Sequence, residues 1–148
     1  MTTIRIQRED FDAGAEIAAL SDGHDDIGAV ASFVGVVRGD DGLAALHLEH
    51  YPAMTEIEIA KIAAEAQARW PLGGITIVHR IGRLAVGERV VLVAVASSHR
   101  KAAFEACAFL MDYLKTRAPF WKQEERGGEA GWVEAKASDD AEAARWKK

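Results

Sequence analysis

Two runs rich in β-branched residues, Ile75 to Arg80 and Arg89 to Ser97, follow each other with only the Gly82 and Gly87 turns between them. Both read as strands, and so short a connection suits a hairpin-like pair better than the crossover of a βαβ unit. The helix-length segments lie outside the pair, at about Glu56 to Arg69 and about His99 to Arg117. Strand pairs mixed with two long helices, without regular alternation, predict an α+β domain with an antiparallel or mixed sheet. At 148 residues the whole chain, 1–148, fits a single domain.

Other elements fill in around this frame. Thr3 to Gln7 alternates like a short strand, and Phe11 to Leu20 has helical spacing. After the turn chemistry of Ser21 to Asp26, the Val-rich run Ala29 to Arg38 predicts a buried strand. Leu43 to Tyr51 predicts another, antiparallel to it if the acidic turn Gly39-Asp40-Asp41-Gly42 makes a hairpin. Thr55 and Glu58 have capping-box spacing, with Met54 placed to staple onto Ile59. Ser97-Ser98 is expected to cap the second long helix, which Pro119 limits at its far end. Trp132 to Ala137 is expected to form a last strand, and the charged tail from Asp139 to fray.

Composition excludes several classes of function. A net charge of −5 and a pI near 5.5 argue against a nucleic-acid binder, which usually carries a net basic domain or stripe. The single cysteine, Cys107, cannot form an internal disulfide. The apolar runs fall far short of the roughly 20 residues that cross a bilayer, and Met1-Thr2-Thr3-Ile4-Arg5 lacks the apolar core of a signal peptide. A soluble, cytoplasmic protein is expected, without a membrane partner.

The residues that break local rules point to chemistry. Ser98-His99-Arg100-Lys101 puts three basic residues in the first turn of a helix, where the macrodipole favours acids. Free backbone N–H groups beside His99 and Arg100 would make an anion site; the competing reading is a solvated turn with its charges paired elsewhere. Near the other end of the same helix, Lys115 falls on one stripe with Phe104, Ala108 and Met111. Burial on an apolar face would leave some neutral amine for nucleophilic or general-base work; the alternative is a lysine that snorkels to solvent. Lys115 to Lys122 then gathers three cations around a Pro119-Phe120-Trp121 corner, whose aromatics either stack on a flat heterocycle or anchor the core.

Weaker candidates read as structure. His47 and His50, three apart in a strand, face opposite sides and make a poor metal pair. His79 reads as structural, Cys107 as a buried inert thiol, and Asp25-Asp26 and Asp40-Asp41 as solvated turns. No phosphate loop, metal-ligand spacing or serine-nucleophile motif occurs.

The segment Met111-Asp112-Tyr113-Leu114-Lys115-Thr116-Arg117-Ala118-Pro119-Phe120-Trp121-Lys122 resembles the signature of the molybdopterin synthase large (catalytic) subunit family. So do Phe33 to Arg38, Leu48-Glu49-His50-Tyr51-Pro52 with Met54-Thr55-Glu56, His79-Arg80-Ile81-Gly82 and Ser98-His99-Arg100, in order from about Gly28 to Ala137. The resemblance implies an α/β-hammerhead fold and a homodimer with one small ubiquitin-like subunit at each end, a heterotetramer. That partner's C-terminal Gly-Gly carries a thiocarboxylate, and its sulfur moves, twice, to cyclic pyranopterin monophosphate to form the dithiolene of molybdenum cofactor biosynthesis. No cofactor and no metal are implied.

Carried onto this chain, the resemblance makes Lys115 and Lys122 catalytic. Arg38, His99 and Arg100 would hold the anionic substrate, with Val36, Val37, Gln123 and Glu124 as neighbouring pocket positions. The chain has Val36 where the family often has a lysine. On this reading Lys115 acts as an acid/base or as a transient amine nucleophile, and Lys122 stabilises developing negative charge. Two other classes compete: a non-enzymatic docking module for a ubiquitin-like tail, and a phosphate-handling enzyme of another chemistry, against which the lack of metal-ligand clusters counts.

Overall fold

The computed structural model describes residues 1–127, 129–132 and 137–147. It forms an α+β domain of two four-stranded sheets, as the irregular alternation of strand and helix predicted. The first sheet has the order β1 (Thr2–Gln7), β4 (Leu72–Arg80), β6 (Arg89–Ser97), β2 (Ala29–Val36). The second has the order β5 (Gly82–Ala85), β3 (Leu43–His50), β7 (Phe120–Arg126), β8 (Glu129–Trp132). Only β1 and β4 run parallel; the other pairs in both sheets are antiparallel.

The position of β6 at the centre of the first sheet follows from its composition. From Val91 to Ser97 every side chain is buried, which a strand achieves only when both faces are covered. Val91, Val93 and Val95 pack on α2 (Met54–Arg69) and α3 (Arg100–Thr116), with Ile59, Ile62, Phe109 and Leu110. Leu92, Ala94 and Ala96 face the other way, toward Phe11 and Leu20 at the two ends of the α1 region (Ala13–Ser21). A third, smaller cluster of Val37, Leu48 and Leu84 holds the second sheet against the first.

The hairpin expected between Ala29–Arg38 and Leu43–Tyr51 does not form. β2 pairs with β6 and β3 pairs with β5 and β7, so the two strands belong to different sheets. The crossing point is Val37. Its N–H donates to Glu88 O at 2.9 Å, its carbonyl accepts from Gly87 N at 2.8 Å, and its side chain is buried with Leu48 and Leu84. An almost continuous apolar β2 gains more beside the buried β6 than beside β3, which buries only Ala45 and Leu48.

Both predicted caps fail for a related reason. Thr55 lies inside α2, fully buried, with its hydroxyl bonded to Tyr51 N and Pro119 O, while Glu58 pairs with Arg117. Met54 is 62% exposed and staples nothing. Ser97 is buried in β6 and donates to Pro71 O at 2.7 Å; the N-cap of α3 is His99, without a side-chain cap bond.

The tail expected to fray from Asp139 instead forms α4 (Ala137–Ala144) and a 3₁₀ turn (Arg145–Lys147). Trp146 docks edge-on against Trp70 and Phe109 and donates from Nε1 to Asp112 at 2.5 Å, enough apolar area to hold the turn down. Of the strand expected at 132–137, Trp132 ends β8, Ala137 begins α4, and 133–136 lie outside the described residues. No helix among the described residues is long and apolar enough to cross a membrane.

Candidate active site

The two ends of α3 present different chemistry. At its start, His99, Arg100 and Lys101 are exposed, and the first turn holds no acid. None of the three has an ion pair among the described residues, so the charges of Arg100 and Lys101 add to the positive end of the macrodipole. The turn is solvated, as the competing reading of this segment has it, and its charges meet no carboxylate among the described residues.

At the other end, the burial expected for Lys115 is not found. The core-facing side of α3 consists of Ala103, Ala106, Cys107, Phe109, Leu110, Tyr113 and Leu114. Phe104 is 65% exposed and Lys115 is exposed with it, on the opposite side of the helix. The small residues Ala103 and Ala106 let the helix sit close on the first sheet, and this sets its rotation in place of the large Phe104. Lys115 therefore owes any special chemistry to its neighbours. It makes no ion pair among the described residues.

The Lys115 charge reaches His79, which also feels His50, and sequence alone singles out neither histidine as functional. The His79 ring, at the end of β4, stacks on Phe120 with centroids 3.8 Å apart and planes at 18°. Its Nδ1 lies 2.8 Å from Arg80 O, which only accepts, so the proton sits on Nδ1 and Nε2 carries a lone pair. Burial, with the nearby charges of Lys115 and His50 as smaller contributions, pushes the His79 pKa down to about 4. It is a neutral imidazole at physiological pH. His50 stands directly across the β3–β7 ladder from Phe120, and its Nδ1 is buried without a hydrogen-bond partner.

The same ladder sorts the other predicted residues. His50 with Phe120, Leu48 with Lys122 and Leu46 with Glu124 are register pairs, and alternate residues of a strand share a face. Lys122 and Glu124 thus lie on the face that carries Phe120. Glu124 is ion-paired with Arg126, whose guanidinium donates to the carbonyls of Asp40 and Asp41 at 2.7 Å each. Arg38 Nε donates to Asp40 Oδ2 at 3.2 Å. Asp40, read from sequence as a solvated turn, is therefore the link that brings Arg38 to the Lys122 and Glu124 strand.

Other predicted positions separate from this group. Gln123 lies on the opposite face of β7, in a cleft with Arg8, His47, Glu49 and Arg83. There Glu125 accepts from His47 at 2.8 Å and Arg83 at 3.0 Å, and Arg83, then His47, hold its carboxyl below the usual range. Val37 is 2% exposed and its backbone is bonded to the Gly87-Glu88 turn, so its side chain is core; Val36 beside it is 52% exposed. His99 and Arg100 are in the same chain as Lys115 but distant, since Arg100 and Lys115 are separated by about 22 Å of helix rise. His47 and His50 do face opposite sides of β3. No group of three or more His, Cys, Asp or Glu suited to a metal occurs among the described residues.

A family model described as "MoaE protein" matches residues 6–117. A molybdopterin synthase catalytic subunit of Mesorhizobium japonicum is 62% identical, over 98% of this chain and 93% of its own length. One of Pseudomonas aeruginosa is 55% identical over 97% and 98%. Among solved structures, the molybdopterin biosynthesis MoaE protein of Burkholderia ambifaria superposes with a TM-score of 0.86 at 54% identity, covering 100% of this chain and 99% of that one. The molybdopterin synthase of Staphylococcus aureus gives 0.81 at 31% identity, over 88% and 96%. With a family model spanning most of its length and relatives of this identity along nearly all of it, the chain belongs to the MoaE protein family.

Proposed function

We propose that this chain is the catalytic subunit of a cytoplasmic molybdopterin synthase. It takes sulfur from the C-terminal thiocarboxylate of a small ubiquitin-like subunit and places it, in two rounds, on cyclic pyranopterin monophosphate. The observation that carries the reading is the setting of Lys115: an exposed residue with no ion pair among the described residues, whose charge reaches the neutral His79 imidazole stacked on Phe120, at the α3–β7 corner that also leads to Lys122. The amine serves the acyl carbon of the thiocarboxylate or its proton. Lys122 stabilises the negative charge that develops there, and Arg38, held by Asp40, meets the anionic substrate.

The anion site at His99 and Arg100 stands about 22 Å along α3 from Lys115, farther than one pterin phosphate spans. Both groups serve one substrate only if a second copy of the chain supplies that site to these lysines, and the reading is therefore a homodimer with one small subunit at each end. A solved complex of subunits 1 and 2 of molybdopterin-converting factor from Helicobacter pylori has this fold, at a TM-score of 0.77 and 22% identity. The test is sulfur transfer itself: chain, thiocarboxylated small subunit and pterin substrate must yield molybdopterin. Binding of the small subunit with no sulfurated product would leave only the docking module.

A further inference from the structure

Among the described residues, one buried side-chain polar atom has no hydrogen-bond partner, and it is His50 Nδ1. Such a group forfeits its hydration without return, and folded proteins keep one chiefly where a ligand or a functional constraint uses it. Its place in the fold supplies the second observation. His50 is the register partner of Phe120, whose ring carries His79, and His79 feels the charges of both His50 and Lys115.

Part of the hydrogen-bonding capacity around this stack is spent. His79 uses its Nδ1 proton on Arg80 O at 2.8 Å. His50 Nδ1 has no hydrogen-bond partner and Lys115 no ion pair among the described residues, and with Nδ1 taken as the protonated nitrogen His50 has a donor to give. A group that satisfies both must offer an acceptor to an imidazole N–H and a negative charge to an ammonium. A small anionic acyl terminus meets both demands; a neutral amide leaves the ammonium unmatched, and an apolar group meets neither.

Resting on the reading that a thiocarboxylate tail enters beside Lys115, we propose that His50 binds that terminus, its Nδ1–H donating to the acyl oxygen. The bond fixes which atom of the terminus faces His50 and leaves the sulfur and acyl carbon to Lys115. It strengthens when the carbonyl is attacked and its oxygen gains charge. No bond to His50 is made or broken.

A histidine that only supports the fold and one that binds a ligand respond oppositely to His50→Phe, which fills the ring volume and removes both nitrogens. The full chain is titrated with the small subunit carrying its complete Gly-Gly terminus, as thiocarboxylate and as carboxylate, and with the same subunit shortened before Gly-Gly. The proposal expects a thermal midpoint at or above wild type, because the orphaned nitrogen is gone. It expects about tenfold weaker binding of the complete tail and unchanged binding of the shortened one. Where the aromatic lowers the midpoint, His50→Asn and His50→Leu decide: Asn keeps a donor near the Nδ1 position and must bind the complete tail more tightly than Leu.

Equal affinity of wild type and His50→Phe for the complete tail overturns the proposal. So does a lowered midpoint with both tails weakened alike and no advantage of Asn over Leu. A wild-type chain that binds complete and shortened tails equally well overturns the functional reading itself, and the role of His50 with it.

Discussion

The Thr55 hydroxyl donates to the Pro119 carbonyl at 2.9 Å, and the same oxygen accepts from Tyr51 N at 3.0 Å. Thr55 is fully buried, so one side chain pins the corner between β3 and α2 to the corner between α3 and β7. Lys115 and Lys122 flank that second corner. Thr55→Val keeps the volume and strands both partners, at a cost of about 1–3 kcal/mol. Urea unfolding at constant m-value measures it, and a loss under about 0.5 kcal/mol would remove the tie from the account.

His79 makes stability depend on pH. Its pKa is about 4 in the folded chain against an ordinary histidine value of 6.5, so between those values the unfolded chain binds a proton that the folded chain refuses. Stability therefore rises with pH across this window and is lost as pH falls from about 6.5 toward 4. The charges that reach the ring are those of Lys115 and His50. Asp10 and Glu125, held low by Arg89 and Arg83, begin to lose their contributions only as pH falls through the ordinary carboxylate range, at the acid end of this window and below it. Thermal midpoints measured from pH 7 to pH 4 should fall for wild type and flatten in His79→Gln; parallel curves would contradict the assignment.

How much of this was legible in the sequence differs between elements and side chains. β-branched runs between glycine turns located β4 and β6, and cap spacings with Pro and Gly stops located α2 and α3, although the caps themselves do not form. The pairing of β2 with β6 was not legible, since Asp40 to Gly42 looks like a hairpin turn and only long-range packing of Val37 decides otherwise. Thr55 and Glu58 had the spacing of a cap, but their partners are Pro119 and Arg117, far along the chain. At the site, the helical stripe singled out Lys115, though for a burial it does not have, and the family resemblance gave Lys115 and Lys122 their roles. The residues around them were missed, because His50 and His79 belong to different sheets and meet only across Phe120. A buried ring nitrogen such as His50 Nδ1 gives no local signal at all.

Cys107 is buried on the core face of α3, and desolvation raises its pKa from 9.0 to about 11. An alkylating reagent attacks the thiolate, so the native chain at pH 8 should resist iodoacetamide and react fully once unfolded in denaturant. Mass spectrometry reads both. Rapid labelling of the native chain would contradict the burial.

The distance along α3 makes a specific demand on assembly. If the anion site of one copy serves the lysines of another, Arg100→Ala and Lys115→Ala chains, each nearly inactive alone, should recover sulfur transfer when mixed and allowed to exchange. The mixed dimer holds one complete site, with Lys115 from one chain and Arg100 from the other. A mixture as inactive as its components would place both groups in service of the same chain.

Lys115→Ala in a single-turnover assay tests the central claim most directly. The chain is mixed with thiocarboxylated small subunit and cyclic pyranopterin monophosphate, and molybdopterin is read as its fluorescent oxidation product. Because Lys115 is exposed and makes no ion pair among the described residues, the variant should keep its thermal midpoint within the small range of surface substitutions. Product formation should fall by about 100-fold or more. A folded, partner-bound Lys115→Ala chain that forms product at near the wild-type rate would contradict the account.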